Sequence, residues 1–145
     1  MMETSKSYLV LGCGDVGFAI ASRLKCRAEV VIVERNADKV EHLMSLDYTA
    51  VLGDFSSLEV LRGAGIERAE VVVITTRDFP TIERTLEAIS ELNVQLGIKP
   101  LVLALVKDEA EVKVVKRLGA DEALPSSQIL ADFVVGRLGE LKVKF

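Results

Sequence analysis

The stretch that decides the fold reads Ser7-Tyr8-Leu9-Val10-Leu11-Gly12-Cys13-Gly14-Asp15-Val16-Gly17. Its apolar first half predicts a buried strand, and the glycines that follow have the G-x-G-x-x-G spacing that leads into a helix. In that setting Gly12 permits a tight turn, Gly14 lets the backbone approach a pyrophosphate, and Gly17 lets the helix pack closely on the sheet. The N–H groups of the first helical turn then face the anion. The sequence therefore predicts a phosphate-binding loop at residues 12–17.

A second apolar run, residues 28–33, ends at Glu34, which lies 22 residues after Gly12. An acid at this distance from the glycine loop can accept hydrogen bonds from both hydroxyls of an adenosine ribose. A glycine-rich turn that binds nothing is the alternative. Strand, loop, helix, strand and acid nevertheless follow one another in the order that a nucleotide site needs.

Composition predicts one compact domain over residues 1–145, because 50% of the residues are hydrophobic and only three are proline. The net charge of -4, without basic runs, argues against nucleic-acid binding. No apolar stretch reaches the roughly 20 residues of a membrane span, and residues 1–6 contain no apolar signal core. We therefore expect a cytoplasmic chain without direct membrane insertion.

Two isolated cysteines and one histidine predict no metal site.

Six apolar runs alternate with helical stretches, which predicts an α/β fold with a doubly wound parallel sheet, the Rossmann fold. Strands are predicted at residues 8–11, 29–33, 49–52, 71–75, 101–106 and 122–124. Helices are predicted at residues 16–25, 37–46, 57–64, 80–96, 109–118 and 127–138, with Asn36, Ser57 and Asp78 as caps. The continuous run Leu101–Val106 is typical of a strand buried on both faces. Right-handed crossovers give the strand order 3-2-1-4-5-6, with a ligand crevice at the carboxyl ends of strands one and four.

Polar residues follow the third and fourth apolar runs, where this crevice should lie. Asp54, after Gly53, could accept a hydrogen bond from an adenine amino group, or it could bond the amides of its own turn. The hydroxyls of Thr75 and Thr76 could meet a ribose or phosphate. Arg77 could reach a phosphate from the side, or it could be a solvated loop charge.

Four segments carry a resemblance to a known family: residues 10–17, residues 31–36, Gly53-Asp54 with residues 58–66, and Leu118-Gly119-Ala120-Asp121-Glu122-Ala123-Leu124-Pro125. Together they resemble the N-terminal lobe of the RCK family, the regulator-of-potassium-conductance or Trk-type (KTN) nucleotide-binding domain. The resemblance extends over about residues 7–138, and the Gly-Ala-Asp-Glu segment is its most distinctive part.

The resemblance implies a regulatory domain that binds NAD or NADH, or in some members AMP, ADP or ATP, and controls a potassium channel or transporter. Its partners would be an adenine nucleotide, a second copy or higher oligomer, and a membrane transporter or channel subunit. The domain would then be cytoplasmic, peripheral to the membrane through that partner. Motif and resemblance together predict these ligand contacts: Gly12, Cys13, Gly14, Asp15, Val16, Gly17, Glu34, Arg35, Gly53, Asp54, Phe55, Thr75, Thr76 and Arg77.

The chain departs from the family pattern in three places. Asp15 stands where many members have arginine, and a carboxylate there repels a pyrophosphate unless it turns away. The fifth strand lacks the arginine that relatives often carry near its end. The C-terminal lobe of the family is absent, so we expect a fragment of a longer protein or a single-lobe regulator. Similar lobes also resemble the N-terminal part of archaeal fusions with DHH-type phosphoesterases.

An enzyme that transfers hydride to or from nicotinamide needs a proton donor or acceptor beside the nicotinamide. His42, Tyr8 and Tyr48 all lie away from the expected site, so we predict no catalytic residue and a sensor rather than an oxidoreductase.

The last helix is apolar beyond one narrow face, with Ile129, Leu130, Phe133, Val134, Val135 and Leu138. It could cover the sheet or pack on another subunit, and we expect a dimer.

Overall fold

The computed structural model describes residues 7–141, so the predicted domain limits at residues 1 and 145, and residues 1–6, lie outside the described residues. The described part contains one parallel sheet, formed by β1 (Ser7–Leu11), β2 (Glu29–Glu34), β3 (Thr49–Leu52), β4 (Ala69–Ile74), β5 (Leu101–Val106) and β6 (Glu122–Pro125). The strand order is β3-β2-β1-β4-β5-β6 and each neighbouring pair is parallel. The predicted doubly wound sheet is therefore confirmed.

Helices alternate with the strands: α1 (Asp15–Leu24), α2 (Ala37–Ser45), α3 (Leu58–Gly63), α4 (Phe79–Leu96), α5 (Glu109–Arg117) and α6 (Ser126–Glu140). The predicted caps are confirmed, because the side chains of Asn36, Ser57 and Asp78 each accept a backbone N–H in the first turn of α2, α3 and α4. The sequence did not predict the short 3₁₀ turn Ile66–Arg68, which leads into β4.

The sheet is covered unequally on its two faces. One face packs on α3, α4 and α5 in a continuous core, to which Leu61, Leu86 and Val115 contribute from the helices. The other face packs on α1 and α2 around Val10 and Ile32. These clusters place β1 at the centre of the molecule, so the loop that follows it lies between both layers of helices.

The prediction that β5 is buried on both faces is wrong. Its buried and less buried residues alternate, and Leu101 is 47% exposed while Leu103 and Leu105 are half-buried. The reason is α6, none of whose residues is buried in the chain. An apolar groove of about 630 Å³ remains between α6 and the sheet, lined by Val16, Arg77, Leu105, Leu124, Ser126, Ser127, Ile129, Leu130 and Phe133.

Across residues 7–141, every helix is too short or too polar to cross a membrane.

Candidate functional site

The glycine loop leaves β1 at Gly12, where φ is +104°, in the left-handed region that favours glycine. The Gly12 N–H donates to the Val33 carbonyl at 2.8 Å, which ties the turn to β2. A Cβ on Gly12 would lie 2.8 Å from the Thr75 hydroxyl, so a side chain here would collide with the residue that follows β4. The backbone thus makes, at Gly12, the tight turn that the motif predicts.

Gly14 and Gly17 differ in what surrounds them. A Cβ on Gly14 would meet nothing within 4 Å, whereas a Cβ on Gly17 would lie 2.4 Å from the Gly12 carbonyl oxygen. Gly14 is the N-cap of α1 and no side chain caps this helix, whose ladder begins with Phe18 N–H donating to Gly14 O at 2.9 Å. The N–H groups of the first turn are therefore suited to bind an anion that approaches over Gly14.

Glu34 ends β2 with its side chain almost fully buried at 7% exposure. One carboxylate oxygen accepts the Cys13 N–H at 3.1 Å and the other accepts the Asn36 N–H at 2.6 Å. The carboxylate therefore accepts hydrogen bonds from two backbone amides. Each carboxylate oxygen can accept more than one hydrogen bond.

Asp54 lies two residues after the end of β3, and its carboxylate accepts hydrogen bonds within its own turn. One carboxylate oxygen accepts the Ser56 N–H at 2.9 Å and the Ser56 hydroxyl at 2.7 Å. These two bonds are the main reason that the pKa of Asp54 is lowered, with a smaller contribution from Arg35. The Arg35–Asp54 ion pair spans 3.7 Å between exposed side chains, so it contributes little to stability.

Gly53 and Phe55 shape the floor of this region. The Gly53 N–H donates to the Glu34 carbonyl at 3.0 Å, and a Cβ on Gly53 would lie 2.8 Å from a methyl of Val60. Phe55 is 5% exposed and belongs to the larger core. Its ring lies close to Gly12, so Phe55 supports the glycine loop from below.

The segment after β4 meets the glycine loop from the other side. The Thr75 hydroxyl lies 2.9 Å from the Leu11 carbonyl oxygen and 3.0 Å from the Gly12 carbonyl oxygen. The Thr76 hydroxyl accepts the Asp78 N–H at 3.3 Å. The first of these contacts gives Thr75 a structural partner that the sequence did not reveal.

These elements enclose a crevice of about 500 Å³ at the carboxyl ends of the strands. Its lining residues are Gly12, Cys13, Gly14, Glu34, Arg35, Phe55, Thr75, Thr76, Arg77, Asp78 and Thr81. The crevice thus brings together residues that follow β1, β2, β3 and β4, as predicted for a ligand site in this fold.

The crevice lining includes neither Asp15, Val16, Gly17, Gly53 nor Asp54. Asp15 lines a neighbouring pocket of about 510 Å³ that extends toward α2. Val16 faces the apolar groove beside α6, and Gly17 packs on the Gly12 carbonyl.

Asp78 and Thr81 line the crevice, although the sequence predicted neither of them as a ligand contact. Asp78 caps α4 by accepting the Thr81 N–H at 3.2 Å and also the Thr81 hydroxyl. The hydrogen bond from that hydroxyl is the main reason that the pKa of Asp78 is lowered. A residue three positions after a helix cap is the signal that could have pointed to Thr81.

Cys13 places its side chain beneath the loop, at 8% exposure. Burial, and to a smaller extent the negative charge of Glu34, raise the pKa of its thiol. The shift disfavours the thiolate, which is the reactive form of a cysteine.

Comparison with known proteins identifies the family. The TrkA-N domain family matches residues 8–125 of the chain. The chain belongs to the TrkA-N family. A relative of this TrkA-N domain, the Trk system potassium uptake protein TrkA homolog of Archaeoglobus fulgidus, is 35% identical over 68 residues. These are 47% of this chain but only 16% of that protein, so the TrkA-N domain matches a small part of a longer relative.

Solved structures support the fold of this TrkA-N domain at identities below 25%. The TrkA-N domain of the inner membrane protein ybaL from Escherichia coli has a TM-score of 0.82 at 19% identity, covering 94% of this chain and 99% of that one. The GsuK channel bound to NAD has a TM-score of 0.78 at 21% identity, covering 90% and 23%. The NAD(P)-binding domain of an exopolyphosphatase-related protein from Archaeoglobus fulgidus has a TM-score of 0.82 at 18% identity, covering 92% and 97%.

Proposed function

We propose that this TrkA-N domain is a regulatory sensor that binds NAD(H), or alternatively AMP, ADP or ATP, and controls a potassium channel or transporter. One observation carries the proposal. A single crevice connects the uncapped N-terminus of α1, at Gly14, with the buried carboxylate of Glu34. An anion at the first position and a ribose at the second are neighbouring parts of an adenine nucleotide.

The proposed contacts follow from this placement. The phosphates lie over Gly12, Cys13 and Gly14 and reach the amides of Asp15, Val16 and Gly17. The adenosine ribose lies at Glu34, and the adenine lies toward Arg35, Gly53, Asp54 and Phe55. Thr75, Thr76 and Arg77 border the remaining part of the ligand. In this arrangement Asp54 keeps its bonds to Ser56 and offers its second carboxylate oxygen to the adenine amino group.

The regulatory part of the proposal rests on relatives and on the chemistry of the crevice. The TrkA homolog is named as a potassium uptake protein, and GsuK is a channel with structures bound to NAD and to ADP. His42 lines the neighbouring pocket and Tyr48 packs on Phe18, so neither lies where a general acid or base would act. We propose a domain without catalytic activity, located in the cytoplasm and peripheral to the membrane through its transport partner.

A second candidate is favoured by one comparison. The exopolyphosphatase-related protein contains a domain of this fold, so this chain could be the nucleotide-binding module of a fusion with a DHH-type phosphoesterase. Nucleotide binding is common to both candidates, and the partner differs. Assaying the full-length protein for phosphoester hydrolysis and for nucleotide-dependent potassium flux distinguishes them.

The test of the proposed function is a titration combined with an assay of NADH oxidation. We expect NADH and ADP each to bind saturably in calorimetry, with one nucleotide per chain. We also expect NADH absorbance to stay constant during incubation with small carbonyl compounds, because the described residues that line the crevice include no His, Tyr or Lys. Absence of saturable binding by any adenine nucleotide contradicts the sensor. Oxidation of NADH that is lost in Thr76→Val or Arg77→Ala indicates an oxidoreductase.

We also propose that the chain forms a homodimer through α6. Leu130 and Phe133 are 65% and 66% exposed, and both line the apolar groove that α6 forms with β5 and β6. Exposed apolar area of this kind, continuous with an incompletely covered sheet face, is typical of an interface between subunits.

If the dimer forms through α6, two aspartate substitutions should behave differently. Leu130→Asp should weaken self-association, and Val94→Asp should leave it unchanged. Leu130→Asp is expected to shift sedimentation toward the monomer by at least about tenfold in dissociation constant, because a charge would be buried in the interface. Val94→Asp is the matched control, since Val94 is 85% exposed and lies on α4, away from the groove. Equal behaviour of the two variants, or a wild-type chain that is monomeric at all concentrations, contradicts the dimer.

A further inference from the structure

Both polar groups of the peptide unit between Gly12 and Cys13, its carbonyl oxygen and its N–H, have side-chain hydrogen-bond partners. Its carbonyl oxygen is 3.0 Å from the hydroxyl of Thr75, and its N–H donates to a carboxylate oxygen of Glu34 at 3.1 Å. Thr75 follows β4 and Glu34 ends β2, the two strands that flank β1 in the sheet. The residues that hold this peptide therefore come from opposite sides of the glycine loop.

The two contacts together select one orientation of the peptide. If the Gly12–Cys13 plane were flipped, its carbonyl oxygen would face the buried carboxylate of Glu34, and like partial charges would oppose each other. Glycine has the backbone freedom to permit such a flip, so an unrestrained loop would sample it. In the observed orientation the carbonyl oxygen lies against Gly17, where a Cβ would be only 2.4 Å away. A carbonyl turned into the crevice would instead repel a phosphate.

Thr75 has a single hydroxyl hydrogen, and the carbonyl oxygens of Leu11 and Gly12 both lie within its reach, at 2.9 and 3.0 Å. It cannot donate that hydrogen to a ligand without releasing the loop. This limits Thr75 as a direct phosphate ligand, although its lone pairs can still accept a hydrogen bond.

We infer that Thr75 and Glu34 are positioning residues that clamp the Gly12–Cys13 peptide in the orientation that accepts an anionic ligand. The inference rests on the proposed nucleotide binding for its effect on affinity, but the clamp itself is a property of the ligand-free chain. Thr75 contributes to affinity through the loop, and Glu34 combines this task with its proposed contact to the ribose.

The test compares Thr75→Val, which keeps the shape of the side chain, with Thr75→Ser, which keeps the hydroxyl. We expect Thr75→Val to weaken ADP binding about 5- to 30-fold, as for loss of one buried hydrogen bond with its partner left unsatisfied. We expect Thr75→Ser to keep the affinity for ADP within about threefold of wild type. Ser126→Ala is the matched control, because this hydroxyl donates to the Val106 carbonyl at 3.0 Å beside β5 and does not touch the loop.

Amide hydrogen exchange of Cys13 in the ligand-free chain separates positioning from direct contact. We expect Thr75→Val and Glu34→Leu, which removes both carboxylate oxygens, each to accelerate this exchange, with no acceleration in Ser126→Ala. Unchanged Cys13 exchange in both clamp variants overturns the inference, whatever happens to affinity. If wild type binds no ADP, the proposed function fails, yet the exchange result still decides whether the clamp exists. Glu34→Leu removes the contact to the same peptide from the β2 side, so it provides the answer even if Thr75→Val does not fold.

Discussion

Gly14→Val is expected to reduce the affinity for NADH and ADP by at least about 100-fold while the protein remains folded. The valine methyl groups would occupy the space over the first turn of α1, where the phosphates need to reach backbone N–H donors. Losing two hydrogen bonds to a charged group, each contributing about 1.5–3 kcal/mol, accounts for an effect of this size. Calorimetric titration of wild type and variant measures it.

The fold should tolerate this change. A Cβ on Gly14 meets nothing within 4 Å, and the residue has an extended backbone with φ -83° that any side chain can adopt. Valine is a poorer N-cap than glycine, so we expect a stability loss of no more than about 1 kcal/mol. Gly14→Ala is the graded control, with a smaller loss of affinity. Wild-type affinity in Gly14→Val would show that the phosphates do not lie over this loop.

The sequence was sufficient to predict the sheet and its strand order. Continuous apolar runs separated by helices predict parallel strands with right-handed crossovers, and the glycine loop after the first strand favours the order 3-2-1-4-5-6 among the doubly wound sheets. Glycines and capping residues predicted most helix and strand boundaries to within two residues, as at Asn36 and Asp78. The exposure of β5 could not be predicted, because an apolar run does not reveal whether a helix such as α6 covers it fully.

The contents of the crevice were only partly predictable. Strand order brings Gly14, Glu34 and Thr75 to one edge, so their proximity follows from topology. Their individual partners do not. Glu34 and Thr75 hold the Gly12–Cys13 peptide only because this loop has one particular conformation, and Asp54 bonds Ser56 because its turn closes tightly. Such contacts depend on ångström-level placement, which residue type and spacing do not specify.

Gly17→Ala is expected to destabilise the protein by about 1–3 kcal/mol, although alanine is the better residue in a helix. The added Cβ would lie 2.4 Å from the Gly12 carbonyl oxygen and 2.9 Å from the Thr75 hydroxyl. Because the nearest atom belongs to the backbone, α1 or the glycine loop must shift. Any shift also disturbs the Gly12–Cys13 peptide, so ADP affinity should fall together with stability.

Gly136→Ala provides a comparison in which the same substitution should have the opposite sign. Gly136 lies within α6 and a Cβ there meets nothing within 4 Å in the same chain, so within the chain only the helix propensity changes. We expect a gain of about 0.5–1 kcal/mol in the free energy of unfolding and unaltered ADP binding. Urea denaturation of the two variants measures the difference directly. A stabilised Gly17→Ala variant with intact ADP affinity would mean that α1 does not pack against the Gly12 carbonyl, and the clamped loop would then lack its support.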